Sequence, residues 1–234
     1  MLTSSFVCIY YCTYGTTRLA CILSINRLNF VSPRLNREFI ILKLHFQQMS
    51  RYTPAMTTSK TISAIPCGFA ATPVIIECST SKGLNAFTIV GMANKTIDES
   101  RERIRFALKN SGFNFPSDHL TINLAPASLQ KTGSYLDLPI AVAILAHSRQ
   151  LQPKNIQNTA FIGELALDGK IRPIRGILNA VESLAEHKIK QIILPAANYP
   201  QASLLGNKIK LIPVSTLTEL WQYLELDIEP ANPE

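Results

Sequence analysis

Nine consecutive apolar residues, Leu138 to Ala146, constrain this chain more than any other stretch. A membrane span needs about 18 or more such residues, so the run is not a transmembrane helix. Read as a helix over Leu138–His147, with Pro139 in the first turn where its missing N–H is tolerated, it is apolar on nearly every side. A helix without a polar face has nothing to offer water and belongs at the centre of a core. The rest of the fold has to be built around it.

The flanking sequence supplies the layers. Thr61–Ile65, Val74–Cys78 and Phe87–Val90 read as strands punctuated by Pro66, Gly68, Pro73, Gly83 and Gly91. Thr96-Ile97-Asp98-Glu99 is a capping box that opens a helix stopped by Gly112, with Ile97, Ile104 and Leu108 as its buried stripe. Leu120–Leu124 and Thr159–Ile162 are strands, with a loop through Ala125-Pro126-Ala127 to Gly133 after the first. Asp168-Gly169 marks a tight hairpin turn. Helix Ile177–His187, strand Gln191–Leu194, a short helix near Gln201–Leu205, strand Ile209–Ile212 and helix Leu217–Leu224 complete the pattern. Strands alternating with helices imply an α/β fold whose sheet is partly parallel.

Residues 1–55 differ in character. They carry four of the seven tyrosines and three of the five cysteines, without a helical or strand period. They also hold six Lys/Arg against one acid, Glu38, so +5 of the formal +7 lies there. A secretory signal needs a basic start before its apolar run, and Phe6–Cys12 precedes any charge. A mitochondrial transit peptide fits the scarcity of acids but lacks a clean amphipathic helix. We expect an unstructured or spurious extension, with Met49 or Met56 as the working start. The domain then occupies 56–226, and 227–234, containing Pro230 and Pro233, is a linker or tail. Because 56–234 carries only +2, its charge does not by itself indicate nucleic acid. An odd cysteine count without metal-ligand spacing suggests neither a disulfide framework nor a zinc site. Cys67 and Cys78 read as small buried side chains. A cytoplasmic location is expected.

Familiar catalytic patterns are missing. Gly91-Met92-Ala93-Asn94-Lys95-Thr96 lacks the second glycine of a phosphate loop, and neither G-x-G-x-x-G nor H-E-x-x-H occurs. His45, His119, His147 and His187 are isolated and read as ordinary surface or helix-end residues. Arg101, Arg105 and Lys109 form a stripe beside the buried face of their helix and are the candidates for phosphate or interface contacts. The competing reading pairs the arginines of this helix with Asp98, Glu99 and Glu102 three or four residues away.

Three blocks carry a resemblance. They are Asp98-Glu99-Ser100-Arg101-Glu102-Arg103-Ile104-Arg105 leading to Asn110-Ser111-Gly112-Phe113, then Leu120-Thr121-Ile122-Asn123-Leu124-Ala125-Pro126-Ala127 with Lys131, Gly133 and Leu136-Asp137-Leu138-Pro139-Ile140-Ala141, and finally Phe161-Ile162-Gly163-Glu164-Leu165 with Leu167-Asp168-Gly169 and Arg172-Pro173. Together they closely resemble the N-terminal domain of the ComM/YifB family, the magnesium chelatase-like AAA+ ATPases. The resemblance covers roughly Met56 to Leu224.

That resemblance implies a Lon-protease/RadA C-terminal-like fold, a mixed β-α-β sheet packed by helices. It also implies where Lon-type chemistry would lie. Anchoring on Pro139-Ile140-Ala141 places Asp137 at the position of the Lon serine, and anchoring on Pro173-Ile174-Arg175-Gly176 places Leu178 at that of the Lon lysine. A carboxylate and an aliphatic side chain cannot perform the acyl transfer. The expectation is a non-catalytic domain that assists ring assembly and DNA engagement in branch migration. ATP and Mg²⁺ would serve only an AAA+ module that this sequence does not contain, and no cofactor or metal is expected here. Expected partners are that module or homologous subunits in a ring, and DNA, without a membrane. The alternatives are a Lon-like peptidase with a displaced nucleophile, Ser134 near Lys131, or part of a magnesium chelatase subunit.

Overall fold

The computed structural model describes residues 7–14, 17–24, 58–91, 95–129, 131, 134–187, 189–206 and 208–231, with backbone alone at 7–14, 17–24, 95–98 and 153. The chain divides into two compact units, Met1–Ala55 and Met56–Glu234.

In the first unit, β1 (Val7–Tyr14) and β2 (Thr17–Ser24) pair antiparallel, with Val7 opposite Ser24 and Tyr14 opposite Thr17. Val7, Ile9, Thr13, Thr17 and Ile22 are β-branched and Tyr10, Tyr11 and Tyr14 aromatic, types that favour extended backbone without any alternation of polarity. Residues 25–55 lie outside those described.

The second unit is built on β3 (Ser59–Cys67), β4 (Ala70–Ser81), β5 (Phe87–Val90), α1 (Lys95–Asn110), β6 (His119–Ala125), α2 (Asp137–His147) and β7 (Thr159–Phe161). The chain continues through β8 (Glu164–Leu165), β9 (Ile171–Arg172), α3 (Ile177–Ala185), β10 (Gln191–Pro195), α4 (Tyr199–Ala202), β11 (Lys210–Val214) and α5 (Leu217–Leu226). Seven strands form one mixed sheet in the order β11-β10-β7-β3-β4-β6-β5. The β11, β10, β7 and β3 neighbours run parallel, β3–β4 and β4–β6 antiparallel, and β6–β5 parallel. This is the mixed α/β sheet the sequence implies.

Alternation along β3 sorts the helices into layers. Ile65 packs with α1, α2 and α5 in one apolar cluster, whereas Ala64 packs with α3 and α4 in another. Every residue of α2 from Asp137 to Ala146 is buried. Two hydroxyls of β3 fasten that helix to the sheet, Ser59 Oγ to the Ala143 carbonyl at 2.7 Å and Thr61 Oγ1 to the Pro139 carbonyl at 2.9 Å. On the side of α3, the β4–β6–β5 half of the sheet carries a polar lattice instead. Glu77 bridges Lys60 at 2.8 Å and Asn123 at 3.0 Å, and Thr88 meets His119 at 3.2 Å.

The stop at Gly112 is realised as a Schellman motif. Phe113 N–H reaches the Leu108 carbonyl and Gly112 N–H that of Lys109, both at 3.0 Å, with Gly112 at φ +83°. The start differs from expectation. The helix begins at Lys95, one residue before the Thr96 meant to cap it, and the side chains of 95–98, Ile97 among them, lie outside those described. Asp168-Gly169 does close a hairpin between β8 and β9, with Asp168 Oδ1 accepting the Lys170 N–H at 3.1 Å. Cys78 is buried, and burial pushes its thiol up to about 12. Cys67 is exposed, contrary to the sequence reading, because it ends β3 beside the turn at Gly68.

Candidate functional site

The charged centre of the fold lies where α2 begins. Asp137 is the first residue of that helix, and its side chain is 1% exposed. Arg103, from the middle of α1, donates from Nε to Asp137 Oδ2 at 2.9 Å and from Nη2 to Oδ1 at 3.5 Å. The same Nη2 donates to Ser100 Oγ at 2.7 Å, and the Leu165 N–H points at Asp137 Oδ2 at 3.4 Å. The start of α2 has no side-chain cap from Leu136, so a carboxylate there also meets the positive end of the helix dipole. Burial holds Asp137 above the usual carboxylate range, against the pull of Arg103. Burial also draws Arg103 down, but Asp137, with Glu164 and Glu99 nearby, more than reverses that and raises it.

A second, shallower layer of polar groups surrounds this pair. Ser134 Oγ donates to Glu164 Oε2, and Arg172 Nη1 lies 3.6 Å from Glu164 Oε1. Leu138 N–H donates to the Gly163 carbonyl at 3.1 Å, joining α2 to the turn before β8. Leu178 is the second residue of α3, half-buried and aliphatic. It has no group that could take a proton. At the two positions the resemblance assigns to a Ser-Lys dyad, one side chain is locked in an ion pair and the other is chemically inert.

Lys131 is 1% exposed. Its Nζ donates to the carbonyls of Pro126 at 2.5 Å, Gly91 at 3.1 Å and Leu129 at 3.3 Å. Burial draws its proton affinity below the ordinary lysine value, while three carbonyl dipoles aimed at Nζ favour the ammonium.

The basic stripe is only partly available to a ligand. Arg101 Nη1 donates to the Phe87 carbonyl at 3.1 Å and so covers part of the edge of β5. The Arg105 guanidinium lies 5.1 Å from the centroid of Phe115, whose ring in turn packs on Phe87. Lys109 is exposed in the last turn of α1. The pairing of the helix's bases with its own acids does not describe Arg103, whose carboxylate partner is 34 residues away. Sequence reasoning passed over Arg103. The available signal was Asp137 itself, a charge placed directly before an all-apolar run and therefore in need of a partner.

His147 ends α2 with Nε2 on Thr80 Oγ1 at 2.9 Å and a buried Nδ1 that has no hydrogen-bond partner. Burial lowers its pKa, so the neutral ring suits this place. His119 contacts Thr88, and the His187 ring lies 2.8 Å from the Ser183 carbonyl. His45 lies outside the described residues. Among the described residues no three His, Cys, Asp or Glu side chains converge to hold a metal ion. No described helix is long and apolar enough to cross a membrane.

Comparison with known proteins gives concordant matches. Residues 76–198 match the family described as subunit ChlI of Mg-chelatase. Competence protein ComM of Haemophilus influenzae is 37% identical over 169 residues, covering 72% of this chain and 33% of that protein. YifB of Escherichia coli is 40% identical over 146 residues, covering 62% of this chain and 28% of that protein. A Lon protease of Methanosarcina barkeri is 28% identical over 189 residues, 71% of this chain and 23% of the protease. The chain thus spans about a third or less of the length of these relatives.

Proposed function

We propose that this chain, which belongs to the family of subunit ChlI of Mg-chelatase, acts as a non-catalytic domain of a ComM/YifB-type AAA+ ATPase, assisting ring assembly and DNA engagement during branch migration. The observation that carries this reading is the buried Arg103–Asp137 pair. It occupies the position where the resemblance puts a Lon nucleophile, and it fits a role in joining helices better than a role in chemistry. The ATPase activity would come from a module outside the matched third of the relatives.

DNA would be met by Lys109 and, where their present contacts allow, Arg101 and Arg105. Phosphate contacts of this kind give affinity that falls with salt. Fluorescence anisotropy with a forked duplex is expected to show binding that weakens steeply between about 50 and 200 mM salt. Lys109→Glu, which disturbs no packing, should lower the salt slope by about 1, and reversal of all three bases by up to about 3. Binding that ignores all three reversals would mean that DNA is met elsewhere than on this helix.

One observation favours a second reading. Ser134 Oγ already donates to a carboxylate, Glu164, as an activated hydroxyl would. A Lon-like peptidase with a displaced nucleophile would use that pair.

A further inference from the structure

We propose that the ends of β5 and β6 form a backbone cage for one ammonium-type cation, filled in cis by Lys131, and that this occupancy sets the loop leading into α2. The cage walls come from separate places in the chain: Gly91 just after β5, Pro126 just after β6, and Leu129 in the loop itself. Two of the three are held by the sheet, since Val90 is in register with Asn123. Gly91 is pressed so close to β6 that a Cβ there would lie 2.4 Å from the Leu124 oxygen. The backbone at Gly91 thus lies directly against β6.

Carbonyl oxygens offer partial negative charge without a carboxylate, the donor set that suits a compact, singly charged ammonium. Lys131 is the fitting occupant because its three donors can spread over three acceptors, whereas the flat, forked guanidinium of an arginine cannot. The loop so fastened carries Ser134 to Glu164 and delivers Asp137 to Arg103. Lys131 is thus a positioning residue, and its removal takes away the group that ties the Gly91, Pro126 and Leu129 carbonyls together.

Two measurements on the full chain test this. In a ¹⁵N–¹H spectrum of lysine ammonium groups at mildly acidic pH, one slowly exchanging signal is expected, and it should vanish in Lys131→Met. In thermal unfolding, Lys131→Ala should melt roughly 5 °C or more below the parent. Adding n-propylammonium chloride should restore part of that loss, saturably, where sodium chloride at equal ionic strength does not. The parent should respond to both salts alike. A Lys131 ammonium that exchanges as fast as surface lysines overturns the proposal, as does equal response of Lys131→Ala to both salts. Should Lys131→Ala fail to fold, the spectrum of the parent decides alone.

Discussion

Replacing Arg103 by methionine is expected to remove about 3 kcal/mol of stability at pH 7, near the low end of what an orphaned buried charge costs. The low end applies because Arg103 is 23% exposed and shares its pair with some solvent, while Asp137, at 1%, cannot. For the same reason Asp137→Leu should cost less than Arg103→Met, since the arginine left behind can turn outward. The double variant should recover much of the loss, because an apolar pair of similar volume avoids burying any charge. Urea unfolding of the four proteins gives the coupling directly.

The pH dependence of the same variant has a definite sign. Burial already holds Asp137 above its unfolded value with Arg103 in place, and without the guanidinium it must rise further. A carboxyl with a raised folded value binds its proton more readily in the native state. Its stabilising effect is full below the unfolded value and fades as pH rises through the folded one. The deficit of Arg103→Met should therefore be largest at neutral pH and shrink on acidification towards the ordinary carboxylate range. A deficit that is constant with pH would mean that Asp137 stays ionised without its partner.

Gly91→Ala is expected to be comparably damaging, at about 3 kcal/mol, combining strain at positive φ with overpacking. The backbone there has φ +102°, and the new methyl would meet the Leu124 oxygen at 2.4 Å and its carbonyl carbon at 3.1 Å. Both obstacles are main chain inside β6 and cannot rotate away. Gly112 is the internal comparison. It also has positive φ, +83°, but nothing lies within 4 Å of its would-be Cβ. Gly112→Ala should then cost only about 1–2 kcal/mol, the left-handed penalty alone. Equal losses at the two glycines would show that β5 and β6 separate more easily than this packing allows.

Local pattern made most of the sheet legible. Phe87–Val90 is a strand over the expected residues, because its edges are marked by glycine and its interior by β-branched and aromatic types. The all-apolar run became the most buried helix, since nothing but a core could accept it. The Gly112 stop held because a Schellman motif needs only residues adjacent in sequence. The pairings that build the site are different. Arg103 to Asp137, Ser134 to Glu164 and Lys131 to Gly91 join residues 34, 30 and 40 positions apart. No periodicity links them, and only the folded sheet brings them together. The stripe of Arg101, Arg105 and Lys109 was visible on a helical wheel, but the wheel could not show that two of the three would turn to the Phe87 carbonyl and the Phe115 ring. Cys67 failed for a related reason, as burial at a strand's last residue depends on where the turn projects.

A Lon-like fold with the Arg103–Asp137 ion pair where the resemblance puts the nucleophile is expected to lack peptidase activity. The most direct measurement is hydrolysis of fluorescently labelled casein by the purified chain, alongside Ser134→Ala. No cleavage above the buffer blank is expected from either protein. Cleavage by the parent that Ser134→Ala abolishes would contradict that expectation and make the Ser134–Glu164 pair an active site.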